Sequence, residues 1–291
     1  ALPEKELEWS DQGVQATHRF LNKVNLLFEE NKKNVSFKKV NEKKLNFADK
    51  LVLSKTNTAI KNVSRQIENF ELNYAINEIM QLSTHLSKYY KPNKEVMGHA
   101  LKTIAVLLNP FAPFLSEKLW KELGQKGFCC QQKWAKAEEK FIDAKVEQAE
   151  KLAIEVREDI LKIKELAKIS SPKKITIFLA PQWKWDAVEI IKAKKIEKPN
   201  ISLIIKELVS FPKTKEFAKE IPQFAKQVST KLLEYKNSQK IDEKKVLEEY
   251  SKNYEKEFGC TVEIKEPSQA EQKQAQKANN ALPLKPAILL E

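Results

Sequence analysis

From residue 11 to residue 123 apolar side chains return every three to four positions, and that period commits the first half of the chain to helices. Ser10 and Asp11 supply an N-cap and an acidic first turn, after which Val14, Thr17, Phe20, Leu21, Val24, Leu27 and Phe28 share one face. A Lys/Asn loop follows at 32–46. A second stripe carries Val52, Thr56, Ala59, Ile60, Val63, Ile67 and Phe70, and a third carries Leu72, Ala75, Ile76, Ile79, Met80, Leu86 and Tyr90 before Pro92 stops it. The fourth helix is predicted over Lys94–Leu108. Asn109-Pro110-Phe111-Ala112-Pro113-Phe114 then breaks the period, because each proline lacks a donor and biases its predecessor away from helix. A fifth helix runs from Leu115 to Leu123 and ends at Gly124. Five helices with mostly short connections predict an antiparallel bundle.

The second half changes period. A long amphipathic helix at 144–169 leads to Ser170-Ser171-Pro172, the clearest linker in the chain. Lys174–Leu179, Thr261–Ile264 and Ala287–Leu290 have the β-branched or apolar character of strands. Between them helices are expected at 184–195, 200–208, 214–236 with a bend at Pro222, 242–257 and, polar throughout, 268–279. Strands separated by helices imply a small α/β domain. The chain therefore divides into a helical bundle at 1–140, a connecting helix and linker at 141–172 and the α/β domain at 173–291, a mainly α protein overall.

Among 291 residues there are 52 Lys and Arg against 40 Asp and Glu, a net charge of +12, and all but Arg19, Arg65 and Arg157 of the basic residues are lysine. The excess is clustered. Residues 31–61 hold nine lysines against Glu42 and Asp49, and residues 164–206 hold ten against four acids, so these two stretches exceed the whole net charge. Clustering favours a polyanion-binding surface, with nucleic acid the first partner to test, over a uniform compositional bias. No apolar run reaches membrane-spanning length, so a soluble protein with no membrane partner is expected. The five glycines form no phosphate-cradling turn. The vicinal Cys129 and Cys130 and the distant Cys260 match no common metal arrangement, and read as reduced thiols of a cytoplasmic protein. His18, His85 and His99 lack a Ser, Cys or carboxylate partner at motif spacing and read as surface or packing residues. Neither a catalytic nor a metal-binding residue is expected.

Two segments carry a resemblance. Trp9-Ser10-Asp11-Gln12-Gly13-Val14 with Arg19-Phe20-Leu21-Asn22-Lys23-Val24 is similar to the opening of the helical anticodon-binding domain of class I aminoacyl-tRNA synthetases for aliphatic amino acids. Asn109–Trp120 resembles that domain's later signature, a Pro-rich turn feeding an acidic helix that ends in Leu-Trp. Gly124-Gln125-Lys126-Gly127-Phe128 with Trp134, Val156-Arg157-Glu158-Asp159-Ile160, Ala180-Pro181-Gln182-Trp183-Lys184 and Ala281–Ile288 extend the likeness over nearly the whole chain, to leucyl-tRNA synthetases of archaeal and eukaryotic type. Phe114 stands where that family usually has His, and Leu284 where it usually has Gly.

The His-x-Gly-His and Lys-Met-Ser-Lys-Ser motifs of class I synthetases are absent from the sequence; Met97-Gly98-His99 and Lys168-Ile169-Ser170 are fragments of them only by chance. The resemblance thus implies a portion that follows the catalytic body, either a fragment or the smaller subunit of a split enzyme. Such a portion would be inactive alone and without a cofactor, ATP and Mg being used by the catalytic portion elsewhere. It also implies a role: bracing leucine tRNA by its body and long variable arm for ATP-dependent leucylation, with the catalytic portion as partner. The other readings are a stand-alone RNA-binding or scaffold protein, and the equivalent part of a valyl- or isoleucyl-tRNA synthetase.

Within that frame the candidate tRNA contacts are Ile288, Leu289, Leu290 and Glu291, which match the stretch that approaches the variable-arm tip in archaeal relatives. Their main chain is the expected contact, and their apolar side chains are expected to complete a sheet. Lys173, Lys174, Lys192, Lys194 and Lys195 are phosphate candidates because they cluster, a solvated face being the competing reading. Trp183 and Lys184 either pair a stacking plane with a charge or belong to the core. Lys32, Lys33, Lys38, Lys39, Lys43 and Lys44 either follow the RNA backbone or repel one another in a loop. Trp9, Trp120 and Trp134 are expected to pack the bundle or its junction with a catalytic body.

Overall fold

The computed structural model describes residues 10–89, 92–194, 196 and 200–291. It divides into two compact units, Ala1–Glu147 and Gln148–Glu291.

The first unit is the helical bundle: α1 (Asp11–Asn31), α2 (Phe47–Glu68), α3 (Leu72–Ser87), α4 (Lys94–Leu108) and α5 (Pro113–Glu122). Each start has a local cause. Ser10 Oγ accepts from Gly13 N at 3.3 Å, Asn46 and Asp49 close a reciprocal capping box, Asn93 Oδ1 accepts from Glu95 N and Val96 N, and Pro113 opens α5 where no donor is needed. The faces predicted from periodicity meet in one core built around Val24, Phe28, Val63, Ile79, Leu101 and Ile104, all fully buried. At about 1.5–3 kcal/mol for each such side chain, this burial is what offsets the ordering of the bundle.

Two predicted stripes run too far. Val14 stays exposed, so α1 is buried only from Phe20 onward. Phe70 lies beyond α2 in the left-handed region (φ 58°), where Phe70 N donates to Ile67 O and Glu71 N to Gln66 O; it caps the helix with its ring in solvent. The predicted third stripe ends at Tyr90, which lies outside the described residues, while α3 stops at Ser87.

The stretch after α5 is tied to α2 by polar contacts. Asn57, fully buried, donates to Leu53 O and accepts from Glu138 N (2.8 Å each), and Ser54 Oγ accepts from Asp143 N and donates to the Glu147 carboxylate. Glu117 accepts from the amides of Cys129 and Cys130 at 2.8 Å each, two bonds to the charged form that hold its carboxyl below the usual range.

The helix α6 (Ala144–Ala167) leads to β1 (Lys174–Phe178), α7 (Gln182–Ala193), α8 (Ile201–Ser210), α9 (Pro212–Lys215), α10 (Ile221–Ser229), α11 (Leu232–Asn237), α12 (Glu243–Phe258), β2 (Thr261–Lys265), α13 (Ala275–Ala278) and β3 (Ala287–Leu290). The sheet has the order β2-β1-β3, with β1 parallel to β2 and antiparallel to β3. Helices α7–α12 form the crossover that a parallel pair requires. In the second unit α12 meets α6 through Tyr254 Oη, which donates to Ala153 O at 2.7 Å, and through an Arg157–Glu257 pair.

Two predicted helices differ here. The 214–236 stretch breaks into three, because Pro222 sits in the first turn of α10 instead of bending one long helix. The 268–279 stretch yields only a 3-10 turn and the single turn of α13: a segment polar all round has no face to bury.

Candidate nucleic-acid interface

The C-terminal strand is built from its register. Lys173 N and Lys174 N donate to Glu291 O at 2.6 and 3.0 Å, and Glu291 N returns a bond to Lys174 O at 2.9 Å. Lys174 and Glu291 therefore form a hydrogen-bonded pair, and the antiparallel alternation makes Thr176 and Leu289 the next. Leu289 and Glu291 thus turn their main-chain groups toward β1. Ile288 and Leu290 turn theirs to the outer side of an edge strand while their side chains are buried at 3% and 9% exposure. Sheet completion and outward main-chain groups coexist in Ile288 and Leu290, whereas the main chain of Leu289 and Glu291 is taken up by β1.

The segment feeding this strand is held by two buried ionisable groups, Lys184 and Glu243, of which sequence reading named only the first and did not find its partners. Lys184 is in the core, its ammonium donating to Asn279 O (2.6 Å) and Ala281 O (2.7 Å), and burial pulls its pKa down to about 8. Glu243, at the start of α12, accepts from Leu284 N (2.6 Å) and from Trp185 Nε1 (3.3 Å). Leu284 itself is left-handed (φ 61°), a conformation that suits Gly far better than Leu. The only sequence signal for this arrangement was Leu284 standing where Gly is usual in the resembling family.

Burial raises the Glu243 carboxyl to about 7 from 4.5. The folded chain then holds that proton more tightly than the unfolded chain, so the contribution to stability is present below pH 4.5 and is lost as pH climbs through about 7. Unfolding free energies from urea titrations across that window are expected to fall for the parent chain relative to Glu243→Gln by about 3 kcal/mol. Parallel profiles for the two would show that Glu243 does not titrate there.

The structure sorts the predicted lysines by what already engages them. Lys173 is exposed; Lys174 pairs with Glu263 at 2.9 Å, and Glu263 also holds Lys265 at 2.8 Å. Lys192 reaches Glu189 (3.2 Å) and Ser238 O (2.7 Å), and Lys194 reaches Glu207 (2.8 Å). Such surface pairs are worth about 0–1 kcal/mol, so they leave these lysines open to exchange for phosphate. Lys195 lies outside the described residues. Of the two readings of Trp183 and Lys184, packing in the core holds and no exposed stacking platform is formed. Trp183 is buried against Phe217, stacked at 4.9 Å between centroids, and Lys184 spends its charge on two carbonyls.

In the bundle, Lys32 is drawn to Glu29 (2.6 Å) and Glu122 (3.5 Å), whereas Lys33, Lys38, Lys39, Lys43 and Lys44 are exposed. Trp120 is core, Trp134 is exposed with Nε1 donating to Ser64 Oγ, and Trp9 lies outside the described residues. Phe114, at 92% exposure, is the most solvated large apolar side chain among the described residues. Also among them, no three His, Cys, Asp or Glu side chains converge as a metal site, and no helix is long and apolar enough to cross a membrane.

Residues 49–179 match the family model described as the anticodon-binding domain of tRNA ligase. A leucine–tRNA ligase of Methanocaldococcus jannaschii is 34% identical over 84% of this chain and 25% of its own length. The chain is a relative of one part of the leucine–tRNA ligases. Among these, the Pyrococcus abyssi ligase is 30% identical over 99% of this chain and 29% of its own, while that of Fusobacterium nucleatum matches only 50% of this chain, at 36% identity. The similarity to the archaeal relatives therefore extends over both units. The chain spans about a quarter of the length of the leucine–tRNA ligases it matches.

Proposed function

We propose that this chain is a tRNA-binding portion of a leucine–tRNA ligase. It holds leucine tRNA by its body and long variable arm while the catalytic portion, using ATP and Mg, performs leucylation in the cytoplasm. By itself the chain is inactive. The observation that carries the reading is the joint one of family and charge: an anticodon-binding domain shared with archaeal leucine–tRNA ligases, on a chain of net charge +12. The edge strand supports it, because outward main-chain donors and acceptors at Ile288 and Leu290 suit unpaired bases at an arm tip, and Lys173 stands at the same end of the sheet.

The test is binding of the chain to leucine tRNA and to the same tRNA with its variable arm trimmed, together with leucylation when the catalytic portion is added. Trimming is expected to weaken binding about tenfold, roughly 1.4 kcal/mol, and the mixture is expected to charge leucine tRNA better than the catalytic portion alone. Equal binding of tRNAs with and without a long arm would point to the valyl or isoleucyl equivalent. Binding with no gain in charging would point to a stand-alone RNA-binding protein.

A further inference from the structure

β3 is four residues long and pairs on one side only, with β1. A strand so short has little of its own to fix its register, and a slip of one residue would turn the main-chain groups of Ile288 and Leu290 toward β1. What holds the register lies upstream.

The turn at 279–285 is gripped at four backbone atoms by side chains from three helices. Lys184 of α7 donates to Asn279 O (2.6 Å) and Ala281 O (2.7 Å), Tyr235 of α11 donates to Pro283 O (3.1 Å), and Glu243 of α12 accepts from Leu284 N (2.6 Å). All three side chains are buried. Trp185 Nε1 donates to the second carboxyl oxygen of Glu243 at 3.3 Å and so orients it. The turn also closes on itself through reciprocal Leu282–Lys285 bonds of 2.9 and 2.8 Å, and the Lys285 ammonium reaches Asp159 at 2.5 Å. Pro286 then adds a fixed φ, so little slack remains between Leu284 and Ala287, where β3 begins.

Stability alone does not account for this arrangement. A buried ammonium and a buried carboxyl each cost desolvation, and apolar side chains of similar volume serve a core as well or better. Leu284 is held at φ 61°, a conformation that a residue with a Cβ keeps only where its surroundings impose it. Paired polar groups in a core do something apolar ones do not: they specify one arrangement of the backbone they hold.

We infer that Glu243, with Tyr235 and Lys184, is a positioning residue for RNA recognition: by holding the 279–285 turn it sets the register in which β3 presents the main chain of Ile288 and Leu290 to the variable arm. The inference rests on the tRNA-binding reading above and deepens it, naming residues that act on the RNA without touching it.

It is tested with the whole chain and three variants, Glu243→Ala, Glu243→Gln and Tyr235→Phe. Each is bound, at one pH and one salt concentration, to leucine tRNA and to the same tRNA with its variable arm trimmed. The quantity read is the ratio of the two affinities, about tenfold for the parent. Glu243→Ala leaves Leu284 N unpaired and is expected to bring the ratio to about two or below, with affinity for the trimmed tRNA unchanged. Glu243→Gln keeps an oxygen for Leu284 N and is expected to restore the ratio to about five or more. Tyr235→Phe loses one bond and keeps its ring, and is expected to lower the ratio about twofold. Asp242 still caps α12 in every variant, and circular dichroism confirms folding before binding is compared. Should Glu243→Ala fail to fold, Tyr235→Phe carries the same comparison.

If the parent prefers the intact tRNA and Glu243→Ala and Tyr235→Phe prefer it as strongly, the positioning role is disproved while the tRNA-binding reading stands. An equal fall for intact and trimmed tRNA also overturns it, because the change then acts through the domain at large. So does a ratio for Glu243→Gln as low as that for Glu243→Ala. If the parent itself shows no preference, the variable-arm reading fails and the positioning role fails with it.

Discussion

Raising monovalent salt from ~50 to ~200 mM is expected to weaken binding of this chain to leucine tRNA by roughly a thousandfold. The size follows from which lysines the fold leaves in solvent. Lys33, Lys38, Lys39, Lys43, Lys44 and Lys173 are exposed, and six neutralised phosphates at a power of about 0.7–0.9 each give a logarithmic slope of about −4 to −5. Lys174, Lys192 and Lys194 already sit against carboxylates, so they exchange one partner for another and add less than a full contact each. Lys184 adds nothing, because its ammonium lies in the core. A filter-binding or anisotropy titration at four or five salt concentrations measures the slope directly. A slope shallower than about −1 would remove the basic surface from the account of binding.

Gly98→Ala is expected to destabilise the bundle by about 3 kcal/mol or more. On helix propensity alone the change should help by up to about 1 kcal/mol, since Gly98 lies within α4. The tertiary contact reverses the sign. A Cβ on residue 98 would stand 2.3 Å from Ser36 O and 3.0 Å from Ser36 C, both backbone atoms that no rotamer change can move. Relief requires shifting the crossing loop, which breaks the Ser36 N to Lys94 O bond and displaces Phe37, Lys38 and Lys39. Urea denaturation should therefore show a lowered midpoint, and tRNA affinity should fall with it. An alanine variant as stable as the parent would mean that the loop does not cross α4 as closely as the structure has it.

That contrast shows where the sequence could be read and where it could not. α4 occupies Lys94–Leu108 and β3 Ala287–Leu290 as periodicity predicts, because each has flanking punctuation, Asn93 before α4 and Pro286 before β3, and a face that can be buried in only one way. The reading fails at 268–279, where helix-compatible residues offer no apolar stripe, and at 214–236, where a proline taken as a bend begins a new helix. At the candidate interface, exposure divides the predicted residues in ways composition does not reveal. Trp183 and Lys184 look like a binding pair in one dimension, yet the ring stacks on Phe217 and the ammonium on carbonyls nearly a hundred residues away.

Sequence alone determined the helical bundle, the strand-bearing second half and the clustered positive charge, because each is carried by residue type over short stretches, and it showed the kinship with leucine–tRNA ligases through segments that resemble theirs. Only the tertiary structure decided which lysines face solvent, that Glu243 and Lys184 grip the segment leading into the last strand, that the main chain of Ile288 and Leu290 faces outward, and that Gly98 is where a loop passes over a helix. Those outcomes depend on contacts between residues tens of positions apart, whose energies come from burial and close approach, and no local pattern encodes them.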